Sequence, residues 1–229
     1  MSSSLKEVRI KSYYGNFLVI CVYETETIDL LPENGNAYGI DFGISNIVAL
    51  VSNTQKCVPY KGGALKARNQ WYNKQRSYYQ SIAMQGHDTK EAKRLGLLHT
   101  KHLEQLNRDC KQFFHNALHK IASDVVTFCL KNDIRTIILD KNKDWKQNSN
   151  LGRKNNQTFV QMPIATLSSF IKYKVKANGL LVVEQEESYT PKASLVDGDQ
   201  IPVYGESTST TFSEKRISRG RCSRLSLPE

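Results

Sequence analysis

The chain has 229 residues and a formal net charge of +10, with 24% charged and 39% hydrophobic side chains. Such values exclude wholesale disorder, a collagen-like repeat and a membrane bundle, and no apolar run approaches the roughly 20 residues of a spanning helix. Five scattered cysteines (Cys21, Cys57, Cys110, Cys129 and Cys222) without a CxxC pair exclude a disulfide scaffold; with no apolar signal-peptide core in Met1–Ile10, a soluble, cytoplasmic, basic protein is expected.

Val8–Tyr14 and Asn16–Glu24 are β-rich runs around Gly15, a hairpin pattern. Asp29–Asn36, with Pro32, Gly35 and acidic residues, is expected to be a linker or long turn. Ala37–Asp41 and Asn46–Ser52 form a second pair of apolar runs, and Lys56–Tyr60 adds a third strand before the Gly62-Gly63 turn. From Ala64 to Met84 and from Thr89 to Lys131 no proline occurs, and Leu95, Leu98, His102 and Leu106 recur at helical spacing, as do Phe113, Ala117, Ile121, Val125 and Phe128. Two long helices are expected, with a break near Gly86 and a kink point in the second at Gly96. Ile134–Asp140 is a buried-strand candidate. Lys141–Phe159 is polar and irregular, Pro163 suits the first turn of a helix running to about Asn178, Gly179 terminates it, and Leu180–Glu184 is a short strand. Strands, long helices, strand, helix, strand together suggest a mixed sheet flanked by helices. Beyond Tyr204 the composition turns to Ser, Thr and Arg, and little ordered structure is expected there.

Charge is unevenly distributed. Residues 56–123 carry 13 Lys/Arg against 4 acids and residues 141–176 carry 8 against 1, whereas residues 177–206 carry 1 against 6. Basic blocks of this kind attract phosphate, and they are equally the pattern of solvated helical faces. Within the first block, Tyr72, Tyr78 and Tyr79 lie among Lys66, Arg68, Lys74 and Arg76. Tyrosines so placed stack bases beside phosphate contacts or form one packing face of a helix. His115 and His119 are spaced i, i+4, and His99 and His102 i, i+3. Neither pair has an acidic partner at motif spacing, so a helical surface is expected rather than a metal site.

In Ile40-Asp41-Phe42-Gly43-Ile44-Ser45-Asn46 a carboxylate ends a strand just before a glycine-assisted turn. Rigid strand ends hold carboxylates at the spacing divalent cations need, although a turn Asp commonly bonds its own backbone. The stretch GIDFGISNIVAL resembles the first RuvC motif of the OrfB/TnpB family of insertion-sequence proteins, relatives of type V CRISPR effector nucleases. The resemblance continues through PYKGGALKARNQWYNKQRSYYQS, the WKQ and NQTFVQ blocks, VEQEESYTPKAS and FSEKRISRG, and covers residues 37–220 almost continuously.

The resemblance implies an α/β fold: an RNase H-like (RuvC) mixed sheet flanked by helices, with a long helical hairpin insertion at about residues 64–131 and a small N-terminal β segment. Residues 1–33 then correspond to the end of a wedge-like β region, 34–206 to the nuclease domain and 207–229 to an aberrant tail. It further implies an RNA-guided DNA endonuclease of transposon origin with guide RNA and DNA as partners, no membrane association, and Mg²⁺ held by acids from separate motifs. Asp41 matches the first acid. Asp140 stands where the family usually carries the second. In the branch with WKQ after that strand the second acid is relocated to the EESY block, where Glu187 is preferred and Glu186 is the alternate; the metal pair is then Asp41 with Glu187. Lys143, Trp145, Lys146 and Gln147, followed by Arg153 and Lys154, form a nucleic-acid-contacting loop block.

Two departures stand out. Ser194 and Asp197 occupy positions where family members carry a CxxC, so no zinc is expected. Downstream of FSEKRISRG the family's third acid is replaced by a Ser/Arg-rich stretch resembling an out-of-frame ending. A truncated, catalytically compromised nuclease is therefore expected, with a nuclease-dead nucleic-acid-binding module as the alternative.

Overall fold

The computed structural model describes residues 3–26, 28–54, 56–140 and 162–185, together with positions 193, 198–200, 202 and 212. The chain divides into two units, residues 1–139 with 144–184, and residues 140–143 with 185–229. Of the second unit the described residues are Asp140, Gln185 and the isolated positions beyond it.

In the first unit, β1 (Ser3–Tyr13) and β2 (Asn16–Thr25) form the expected antiparallel hairpin. Tyr14 and Gly15 turn it with φ of +45° and +72°, the pair of left-handed residues that matches the twist of a two-residue hairpin. The register sets Val8 opposite Cys21, Ile10 opposite Val19 and Ser12 opposite Phe17. One face of the ribbon is thereby apolar, and it is exposed, Phe17 by 79%. Two strands alone are marginally stable. The tip gains support from a helix introduced below: Arg108 donates to the Tyr14 carbonyl at 3.4 Å, and the Lys111 ammonium lies 5.1 Å from the Tyr14 ring centre.

The segment read as a linker is pinned rather than loose. Leu31 N–H donates to the Gly179 carbonyl at 2.7 Å, and the Asn34 side chain donates to the Asp133 carbonyl at 2.7 Å. Beyond it come β3 (Ala37–Asp41), β4 (Asn46–Ser52) and β5 (Cys57–Lys61). Helix α1 (Gly63–Met84) follows directly.

One expectation needs correction. The span 89–131 is not a single kinked helix but α2 (Thr89–Arg94) and α3 (Lys101–Lys131). Gly96 at φ +70° ends the first, and the Thr100 hydroxyl caps the second by accepting from Leu103 N–H at 3.3 Å. A left-handed residue followed by a Thr cap is a stop and a new start, which helical periodicity alone does not reveal.

Strand β6 (Thr136–Asp140), helix α4 (Ile164–Lys176) and β7 (Leu181–Gln185) complete the fold. Gly179 at φ +71° closes the turn after α4; a Cβ there would come within 2.7 Å of the Asp29 carbonyl.

The five-stranded sheet has the order β5-β4-β3-β6-β7. β3 pairs antiparallel with β4 and parallel with β6, with Gly39 opposite Val51 and Ile138. This is the expected RNase H-like mixed sheet. Tyr38, Ile40, Leu50, Ile137 and Leu139 are buried in one core with Leu118, Val125 and Cys129 of α3 and Leu167, Ile171 and Val175 of α4. Burial pushes the Cys129 thiol up to about 12, so it behaves as a small hydrophobe. An ion pair of 2.5 Å between Lys172 and Glu184 joins α4 to β7.

Candidate functional site

Alternation along β3 buries Tyr38 and Ile40 and turns Gly39 and Asp41 to the opposite face. The same face carries Val51 and Ile138, which are exposed, and half-buried Ala49, which pairs with Asp41. Asp41 therefore sits on the face away from the helical core, at the C-terminal end of a strand paired on both sides.

The turn after Asp41 is fixed by close backbone approaches. Gly62 N–H donates to the Ser45 carbonyl at 2.8 Å. A Cβ on Gly62 would lie 2.5 Å from the Ile44 carbonyl, and one on Gly43 would lie 2.8 Å from the Asn46 carbonyl. Residues 42–46 are thus clamped between β3 and the start of α1, which removes slack from the strand end that bears Asp41.

The Asp41 side chain keeps exposed surface, yet the surrounding strand ends take part of its hydration. That desolvation pushes its pKa above the ordinary 3.8, opposed by the Phe42 amide donating to it. Among the described residues no Lys, Arg or His forms an ion pair with it. A partly desolvated carboxylate without a cationic neighbour suits a hard divalent cation. Among the described residues no three His, Cys, Asp or Glu side chains gather closely enough to hold a metal ion. Asp140, half-buried at the end of β6, belongs to the second unit. Glu186 and Glu187 lie outside the described residues, as do Lys143, Trp145, Lys146, Gln147, Arg153 and Lys154, the Ser194 and Asp197 positions, and the tail beyond residue 212.

Of the first basic block, Lys66, Arg68, Tyr72, Lys74 and Arg76 all lie on α1. They do not share one role. Tyr72 is half-buried and its hydroxyl donates to Asn107 Oδ1 at 2.7 Å, so it serves the α1–α3 contact. Tyr79 lies against His102, 3.8 Å between ring centres. Lys74, Arg76 and Tyr78 are exposed. Arg68 stacks its guanidinium 4.4 Å from the Trp71 ring centre and 5.2 Å from that of Phe113. Trp71 is absent from the residues singled out by sequence. Its signal was the seven-residue interval to Tyr78, which returns to the same helix face.

His115 and His119 pack at the α3–α4 contact. The His119 ring stacks on Phe170 at 3.8 Å, and its Nδ1 shares a hydrogen bond of 3.2 Å with the Tyr173 hydroxyl. Burial, with His115 and the Lys174 ammonium nearby, holds the His119 pKa below the ordinary 6.5. A depressed histidine pKa means that the folded state prefers the neutral ring. Its contribution is complete above the unfolded value of 6.5 and is lost as pH falls below it. Thermal unfolding followed between pH 8 and pH 5 is expected to show a falling Tm below about pH 6.5, and His119→Gln is expected to flatten that decline. An unchanged profile in the variant would contradict this assignment.

With this geometry in place, comparison with known proteins is informative. The profile of the OrfB_IS605 family, described as "Probable transposase", matches residues 20–146, more than half of the chain. No curated protein matches. Solved structures are also similar, among them the following two. "Cryo-EM structure of CRISPR-Cas12f Ternary Complex" shares 17% identity at a TM-score of 0.52, covering 81% of this chain and 36% of that one. "Cryo-EM structure of the Cas12f1-sgRNA-target DNA complex" shares 16% identity at a TM-score of 0.49, covering 81% and 43%. The chain thus spans less than half the length of either. The first of these supports the fold alone, a mixed sheet flanked by helices. The matched region contains Asp41, the clamped turn behind it and the whole helical insertion. On that match the chain belongs to the OrfB_IS605 family of transposases.

Proposed function

We propose that the chain is a TnpB-like, RNA-guided nucleic-acid-binding protein of transposon origin, built on the scaffold of a metal-dependent DNA endonuclease. The observation that carries this reading is the position of Asp41, inside the family match and at the clamped end of the central strand. Asp41 and Glu187 would hold Mg²⁺, with Glu186 and Asp140 as the other candidate acids. When bound, such ions activate water and stabilise the leaving oxygen of a phosphodiester. Asp41 supplies a fixed, partly desolvated carboxylate, and the basic helices and the block 143–154 hold the phosphate backbone.

Two-metal hydrolysis needs enough carboxylates to keep ions about 3.5–4 Å apart against their repulsion. Asp41 with a single glutamate under-ligates the second ion, because Mg²⁺ demands near-ideal octahedral geometry. Binding is therefore expected to exceed cutting: in a guide-loaded plasmid assay the chain and its Asp41→Ala variant both stay at background. Metal-dependent cleavage by the first and not the second would show a complete site and overturn the compromised state.

Binding itself is expected to be strongly salt-dependent. Phosphate contacts act through counterion release, and each one lost should flatten the slope of log affinity against log salt by about one unit. Lys74→Ala and Arg76→Ala, measured by anisotropy with a labelled oligonucleotide, test this. Salt-insensitive binding, or none at low salt, would refute it.

A further inference from the structure

Helix α1 presents two apolar faces where a surface helix ordinarily has one. One includes Leu65, Asn69 and Tyr72 and is buried or half-buried, with Tyr72 bonded to α3. The other is turned to solvent. Trp71, Tyr78 and Ile82 are exposed by 45%, 59% and 56%. Their spacing of seven and four residues keeps them within a narrow stripe, because 3.6 residues make a turn. Lys74, also exposed, lies between the two rings in sequence. Over the 22 residues of α1 there are four cations (Lys66, Arg68, Lys74 and Arg76) and no Asp or Glu.

We infer that this outer stripe of α1 is a stacking track for the unpaired bases of a single-stranded nucleic acid. The inference rests on the nucleic-acid reading above and assigns it a surface and a ligand form. Three observations carry it. A helix free of acids with four cations is complementary to a polyanion and poorly matched to an ordinary protein surface. The aromatic rings are exposed beside two of those cations, Arg68 and Lys74, which is the pairing that single-strand binders use: stacking on the base, charge on the phosphate. Trp71 is also held in place. Arg68 packs its guanidinium on the indole and on Phe113, and Arg68 Nε is buried with no hydrogen-bond partner among the described residues. That stack stiffens the indole and sets a positive charge beside it.

Geometry selects single strand over duplex. Seven helical residues separate Trp71 from Tyr78, about 10.5 Å along the axis. Bases in a regular stack rise about 3.4 Å each, so this interval is about three stacking steps, enough for two bases between the rings. Each ring then needs a base with a free face. Paired bases within a duplex offer no free faces, whereas an extended single strand offers one at each ring, with its phosphates free to meet Lys74, which lies beside the stripe.

The test is fluorescence anisotropy of labelled oligo(dT), oligo(rU) and a duplex of equal length against the full chain and its variants over a salt series. Trp71→Ala and Tyr78→Ala are each expected to weaken single-strand binding roughly 5- to 150-fold, the range for losing one stacked base. The salt slope should be unchanged, because no phosphate contact is removed, and Trp71→Phe should restore most of the affinity. Lys74→Ala should do the opposite, changing the slope by about one unit. Unchanged melting temperatures check that the exposed substitutions leave the fold intact. If the wild-type chain binds no nucleic acid, the functional reading itself fails. If it binds and Trp71→Ala binds equally well, only the stacking track fails. Equal dependence of duplex binding on Trp71 would overturn the single-strand assignment, and a change in oligomeric state by light scattering without a change in affinity would make the stripe a protein interface instead.

Discussion

Replacing Asp41 with alanine is expected to weaken the divalent-metal binding proposed above at least tenfold while leaving the nucleic-acid affinity in EDTA unchanged. Asp41 is the one candidate acid that lies within the first unit, on a strand paired on both sides and followed by a turn clamped at Gly43 and Gly62. Mn²⁺ titration monitored by paramagnetic resonance provides a readout independent of cleavage, and at least a tenfold loss is expected because a carboxylate contributes charge and a direct ligand together. Asp41→Asn should behave similarly toward metal and should not lower the melting temperature. The amide removes a partly desolvated charge that has no ion-pair partner among the described residues. Any gain in stability should stay below about 1 kcal/mol, because the side chain is substantially exposed and water screens it. Full metal affinity in Asp41→Ala would remove this residue from the site.

The second large effect concerns the sheet. Ile137 and Ile138 are adjacent in β6, yet the first is fully buried among α3 and α4 and the second is 36% exposed on the opposite face. Ile137→Ala is expected to destabilise the fold by about 2–5 kcal/mol, the transfer and cavity cost of a large-to-small core change. Ile138→Ala should cost less than about 1 kcal/mol. Urea denaturation of both variants measures the difference. Equal losses would mean that the face bearing Asp41 is packed as tightly as the core face.

That contrast also shows what the sequence made legible. Ala37–Asp41 and Asn46–Ser52 were expected as strands with these bounds, because apolar β-branched runs beside Gly43 leave little alternative. The hairpin at Gly15 and the termination of α4 before Gly179 were equally readable from turn chemistry. The break between α2 and α3 was not, since hydrophobic spacing continues across Gly96 while the cap at Thr100 acts through a single hydrogen bond. The pinning of residues 28–36 was also hidden, because it depends on partners distant in sequence, Asp133 and Gly179. For the site, Asp41 was legible from one strand and one turn. The roles of the α1 aromatics were not. Tyr72 and Trp71 are neighbours, and only the position of α3 decides that the first is engaged and the second open. The carboxylates of the EESY block lie outside the described residues, and their part in the site remains a proposal from motif order.

The parallel pairing of β3 with β6 has a consequence for how the molecule assembles. The β3–β4–β5 meander closes through short turns, and α1 and α3 form from local contacts, so each can appear early. Ala37 meets Thr136 only after the chain has travelled through the entire helical insertion. Closing so long a loop carries an entropy penalty that must be met before the contact is rewarded. The step that gives β3 its second strand neighbour is thus expected late in folding. During synthesis the meander and its carboxylate leave the ribosome well before β6, and they wait beside an unpaired edge until the far side of the insertion arrives.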